Sequence, residues 1–121
     1  MTIPLLICDD SNMARKQVAR ALPEEWEVDI TFATNGKEGL DAIRDGKGEM
    51  VFLDLTMPEV DGYGVLETIK NEGLKSVVIV ISGDIQPEAQ SRVKALGALD
   101  FIKKPVNQEK LRDTLLKFGL I

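Results

Sequence analysis

Met50-Val51-Phe52-Leu53-Asp54-Leu55-Thr56-Met57-Pro58 is the stretch on which the fold turns. Four apolar residues in a row read as a strand covered on both faces, and the carboxylate that follows ends it. Three more continuous runs share this character: Ile3-Pro4-Leu5-Leu6-Ile7-Cys8, Val77-Val78-Ile79-Val80-Ile81 and Leu99-Asp100-Phe101-Ile102. A fifth, Val28-Asp29-Ile30-Thr31-Phe32, alternates, which predicts a half-exposed or edge strand. Between the runs, apolar residues recur at three or four: Ala14, Val18, Ala21 and Leu22; Leu40 and Ile43; Leu66 and Ile69; Ala89, Val93 and Leu96; Leu111, Leu115 and Phe118. Each set gives a helix one stripe to lay on a sheet. Pro23, Gly36, Gly46, Gly48, Gly73, Gly97 and Pro105 fall at the joints.

Five strands alternating with five helices predict an α/β fold, a doubly wound parallel sheet with helices on both faces. The 121 residues suit one domain, expected over 1–121, with no internal repeat, linker or low-complexity stretch. With 20 acidic and 15 basic side chains the formal charge is −5, which argues against nucleic acid or anionic lipid as a partner. The one cysteine, Cys8, cannot form an internal disulfide, and the chain opens on a strand-like run and not on a secretory leader, so a reducing cytoplasm is expected. The longest apolar stretch is strand length, so membrane insertion is not expected. With no histidine in the chain, chemistry falls to carboxylates, hydroxyls and lysines. Cys8, inside the first strand, reads as a small buried hydrophobe, and Trp26 as a packing residue away from any site.

In such a fold the site lies beyond the carboxyl ends of the strands. Asp9-Asp10 follows the first strand, Asp54 the third, Ser82 the fourth and Lys104-Pro105 the fifth. Gathered carboxylates repel unless a cation sits among them, and an all-oxygen cluster suits a hard ion such as Mg²⁺. Asp54 is the candidate nucleophile toward phosphorus, with Mg²⁺ and Lys104 offsetting the charge of the transferred oxygens. Taken alone, an Asp-Asp pair at a helix start is more often a cap, with Ser11 a third candidate, and a lysine before proline is usually a solvated side chain. The four placements together favour the chemical reading.

Asp9-Asp10, the Val51 to Pro58 run with Asp61-Gly62, Ile81-Ser82-Gly83 and Phe101-Ile102-Lys103-Lys104-Pro105 resemble the receiver domains of two-component response regulators, of the CheY-like, flavodoxin-like kind. The resemblance spans the whole chain and implies strand order 2-1-3-4-5. It also implies that Asp54 accepts a phosphoryl group from a histidine kinase, and that Asp9, Asp10, Asp54 and the Thr56 carbonyl hold Mg²⁺. Lys104 would pair with the phosphoryl group from a cis-proline turn, Ser82 and Phe101 would be the switch pair, and Thr56 and Asp84 would tune dephosphorylation. Such a domain catalyses only its own phosphorylation and dephosphorylation. Because the chain ends just after the last helix, output is expected through a target protein docked on the helix 4/strand 5/helix 5 face, in chemotaxis or motility signalling, or by relay to a phosphotransfer histidine. Phe101 in place of the tyrosine usual in chemotaxis proteins removes a hydroxyl from that output. Two other functions compete: an aspartyl-phosphate phosphatase, disfavoured by Asp9-Asp10 where an Asp-x-Asp motif would stand, and a phosphate-independent interaction module, disfavoured by the intact acid cluster.

Overall fold

The computed structural model describes residues 2–83 and 86–121. Among these, strands β1 (Ile3–Cys8), β2 (Val28–Ala33), β3 (Met50–Leu53), β4 (Val77–Ser82) and β5 (Asp100–Lys103) alternate with helices α1 (Asn12–Ala21), α2 (Gly36–Arg44), α3 (Gly62–Glu72), α4 (Pro87–Ala95) and α5 (Gln108–Lys117). All neighbouring strands are parallel, in the order β2-β1-β3-β4-β5. The expected doubly wound sheet is therefore present.

The period of two along each inner strand splits the core into two layers. Leu6, Cys8, Val51, Leu53, Val78 and Val80 face a cluster completed by Leu40, Ile43, Val65, Leu66, Ile69 and Val93, from α2, α3 and α4. Leu5, Ile7, Met50, Phe52, Ile79 and Ile81 face the other, completed by Val18, Ala21, Leu111 and Leu115, from α1 and α5. Trp26 joins that second layer, its ring meeting Phe52 edge-on at 6.3 Å between centroids. Cys8 is buried, and burial followed by the Asp9 charge pushes its thiol up to about 12, as inert as expected.

The alternating β2 is an edge strand, with Phe32 half exposed. One expectation fails at the opposite edge. The Leu99 to Ile102 run, read as covered on both faces, forms β5 one residue later, and Ile102 alone of its four residues is buried. With a single neighbouring strand and only Ala89 and Val93 buried from α4, this edge lacks the material to cover it.

Register brings the carboxyl ends level. Cys8 pairs with both Ala33 and Leu53, Leu53 with Val80, and Ser82 with Lys103, so Asp9, Asp54, Ser82 and Lys104 emerge along one rim. Side-chain caps start four helices: Ser11 on the Ala14 N–H, Asn35 on Glu38, Asp61 on Gly64 and Asn107 on Lys110. α4 opens instead on Pro87, with no side-chain capping bond at its start.

Candidate functional site

Asp9 leaves β1 buried and fully engaged. Its Oδ1 accepts the Ser11 N–H at 2.9 Å, and its Oδ2 receives Lys104 Nζ at 2.9 Å. Asp54, buried at the end of β3, is held by its own N–H, which donates to the Cys8 carbonyl at 2.9 Å. Lys104 Nζ lies 3.3 Å from Asp54 Oδ1, so one ammonium bridges both buried carboxylates. Asp10 stays exposed, yet oxygens of Asp9, Asp10 and Asp54 all lie within 4.8 Å of one another. Of the three cap candidates it is Ser11 that starts α1, which leaves the two carboxylates free of that duty.

Electrostatics follow from this crowding. Burial, and then the Asp9 charge, lift the Asp54 carboxyl above its ordinary value, with Lys104 opposing. For Lys104, burial alone would push the ammonium down. The Asp9 bond and the Asp54 and Asp9 charges outweigh it, and its pKa stands above that of a free lysine. The acid cluster thus holds a cation from its own chain. Three carboxylates this close, all oxygen donors with one of them solvent-facing, fit a hard divalent ion such as Mg²⁺.

The other expected residues fall around this centre. Thr56 is exposed in the β3–α3 loop, two residues beyond Asp54. Ser82 is buried at the end of β4, and its carbonyl accepts the Lys104 N–H at 2.9 Å. The Lys104–Pro105 peptide is cis, as the resemblance implies. Phe101 is half-buried on β5 and packs on the α2/α3/α4-side cluster. Asp84 lies outside the described residues.

Two contributors escape a reading of strand ends. Arg15 Nη1 donates to the Asp9 carbonyl at 2.6 Å and its Nη2 reaches Asn12 Oδ1 at 3.3 Å, pinning the β1–α1 turn from inside the helix. Gly62 packs against the Asp54 carbonyl, where a Cβ would collide, and lets α3 start directly over the acid. An arginine one and a half turns after an acid pair was the available signal for the first.

A family model for the response regulator receiver domain matches residues 5–116. The chain belongs to that family. Among curated proteins, this receiver is 38% identical over 104 residues to protein-glutamate methylesterase/protein-glutamine glutaminase 3 of Geobacter sulfurreducens, covering 85% of this chain and 28% of that protein. It is 34% identical over 113 residues to an uncharacterized response regulatory protein of Vibrio cholerae, covering 91% and 46%. The chain thus spans between about a quarter and a half of the length of these relatives. Among solved structures, Vibrio cholerae chemotaxis protein CheY4 superposes with a TM-score of 0.83 at 25% identity, covering 97% of this chain and 98% of that one. Among the described residues no helix is long and apolar enough to cross a membrane.

Proposed function

We propose that this receiver is a phosphorylation-activated switch in which Asp54 accepts a phosphoryl group from the phosphohistidine of a kinase. The observation that carries this reading is the buried Asp54 carboxylate, 3.3 Å from Lys104 and within 4.8 Å of Asp9 and Asp10. In the step proposed, an Asp54 oxygen bonds to phosphorus as the phosphorus–nitrogen bond breaks, and the imidazole leaves with its electron pair. Asp9, Asp10, Asp54 and the Thr56 carbonyl would hold Mg²⁺, which when bound neutralises charge on the phosphoryl oxygens. Lys104, already poised between the carboxylates, follows the charge onto the phosphoryl group. The carboxylate's raised pKa marks an ionised form that gains from any added cation.

The readout belongs to the same proposal. Ser82 lies on the rim beside Lys104, where its hydroxyl can meet the new oxygens, and the half-buried Phe101 would respond to that movement. A target protein is expected on the face of α4, β5 and α5. Chemotaxis is the favoured setting, supported by the likeness to CheY4 and to glutamate methylesterases. Relay to a phosphotransfer histidine is the alternative, and Thr56 would tune the lifetime of the phosphoryl group together with Asp84.

Incubation with Mg²⁺ and acetyl phosphate, followed by intact-mass measurement, tests the acceptor. One added phosphoryl group is expected, absent in Asp54→Asn. No gain, or a gain that persists in Asp54→Asn, refutes it. Pulldowns with phosphorylated and unphosphorylated protein then separate the outputs: a flagellar switch protein recovered by the phosphorylated form supports chemotaxis, and a histidine phosphotransferase supports relay.

A further inference from the structure

We infer that α2, which supplies none of the three clustered carboxylates, positions the acid pocket through the bare backbone of Gly36 and Gly39. This rests on the reading of that pocket as a Mg²⁺ site. The loop from β3 to α3 carries Thr56, whose carbonyl is the one expected ligand that is not a carboxylate, and its course is pinned at three points. The Gly62 N–H donates to the Leu55 carbonyl at 3.0 Å, closing the loop at its base. Met57 turns into the core, its Sδ 3.6 Å from Cys8 Sγ. Val60, after Glu59 reverses the chain at a φ of 65°, rests on the start of α2.

That third contact is backbone on backbone. A Cβ built on Gly36 would lie 2.7 Å from both the carbonyl carbon and the Cβ of Val60, and would collide outright with the Val60 carbonyl oxygen. No rotamer change relieves such a clash, so the loop itself must move. Three residues on, along the same face of α2, a Cβ on Gly39 would stand 2.8 Å from Cys8 Sγ, one residue before Asp9. The first turn of α2 therefore lies flush against both the loop that holds Thr56 and the strand end that presents Asp9. Neither glycine has the left-handed φ that would demand glycine on conformational grounds. Helix propensity favours alanine at both positions, so close approach is what these glycines provide.

Gly64 supplies the internal control. Its Cβ would also meet Val60 at 2.8 Å, but at the Cγ1 end of a side chain that can rotate away.

The experiment is a Mg²⁺ titration followed by amide NMR shifts of Asp9, Leu55 and Thr56, with folding of each variant checked by urea unfolding. Gly36→Ala is expected to raise the Mg²⁺ dissociation constant about tenfold or more, and Gly39→Ala about threefold to tenfold, while Gly64→Ala stays within about twofold. A role confined to packing would lower the urea midpoint of Gly36→Ala and leave the dissociation constant of the folded protein where it was. Should Gly36→Ala not fold, Val60→Gly loosens the same seat without adding an atom and is expected to weaken Mg²⁺ binding by about threefold or more. If wild type binds Mg²⁺ and Val60→Gly and any folded Gly36→Ala bind it equally well, the inference about α2 is overturned. If wild type itself binds none, the metal reading of the pocket falls and takes this inference with it.

Discussion

The β1–β3 half of the sheet and the β4–β5 half are built to different tolerances. In the first, Gly36 lies against Val60, Gly39 against Cys8 and Gly62 against Asp54 and Leu55 with no space for a methyl group, and Arg44 ties α2 to α3 through two bonds to Glu72 at 3.1 and 2.6 Å. In the second, α4 buries only Ala89 and Val93. Its side-chain links to α3 include the Arg92 guanidinium, 3.9 Å above the Tyr63 ring and 3.9 Å from Glu67, and Lys70 reaching the Ala95 carbonyl at 3.4 Å. The acid pocket stands on the tight half, where a fixed geometry serves chemistry. Ser82 and Phe101 stand on the lighter half, where rearrangement costs less.

The largest test of this contrast is a pair of core truncations. Leu66→Ala in α3 is expected to cost about 2–5 kcal/mol of global stability in urea unfolding, against about 1–2 kcal/mol for Val93→Ala in α4. Hydrogen exchange should show Val93→Ala loosening α4 amides while the β1 and β3 amides keep their protection. Equal losses spread over the whole sheet would erase the distinction.

Next in size is Lys104→Ala, which removes the cation shared by the two halves. Phosphoryl uptake from acetyl phosphate should slow by about 100-fold, read from the rate of mass gain at saturating Mg²⁺. A change of less than about threefold would make Lys104 a bystander.

A smaller effect of opposite sign is expected for Asp54→Asn. Because the folded-state pKa of Asp54 is raised, the native protein binds that proton more tightly than the unfolded chain does. Stability therefore falls as pH climbs from the ordinary value of 3.8 through the raised one, and the full penalty is present at neutral pH. Without Mg²⁺, Asp54→Asn should melt roughly 2–5 °C higher than wild type at neutral pH, with the gap closing in acid. A lower melting point at neutral pH would mean that the Lys104 contact outweighs burial.

Smallest is Arg92→Ala, expected to cost about 0.5 kcal/mol, since the guanidinium is more than half exposed and its ring contact is solvated. Faster exchange confined to α4 amides would place that loss in the lighter half.

The share of this legible in the sequence follows the range of the forces involved. Apolar runs such as Val51-Phe52-Leu53 and stripes such as Leu111 and Leu115 are local signals, and they locate the strands, the helices and the rim where Asp9, Asp54 and Lys104 meet. The exposure of β5 was misread because Leu99-Asp100-Phe101-Ile102 reports its own apolarity and not how little α4 offers to cover it. Gly36 reads as one more joint residue and Gly39 carries no local signal, because their partners Val60 and Cys8 lie 24 and 31 positions away in the chain. Arg15 was hidden for another reason: its target is a backbone carbonyl, which every residue carries.

Trp26 and Tyr63 are the only residues of their kinds in the chain, and they fall on opposite sides of the sheet. Trp26 sits against Phe52 in the α1/α5 layer, whereas Tyr63 lies under Arg92 at the α3–α4 seam. Each layer thus holds one of the two strongest near-ultraviolet absorbers. Indole emission should follow melting of the α1/α5 side, and the near-ultraviolet signal of the phenol should follow the α3–α4 seam, so the two layers can be watched separately in unlabelled protein.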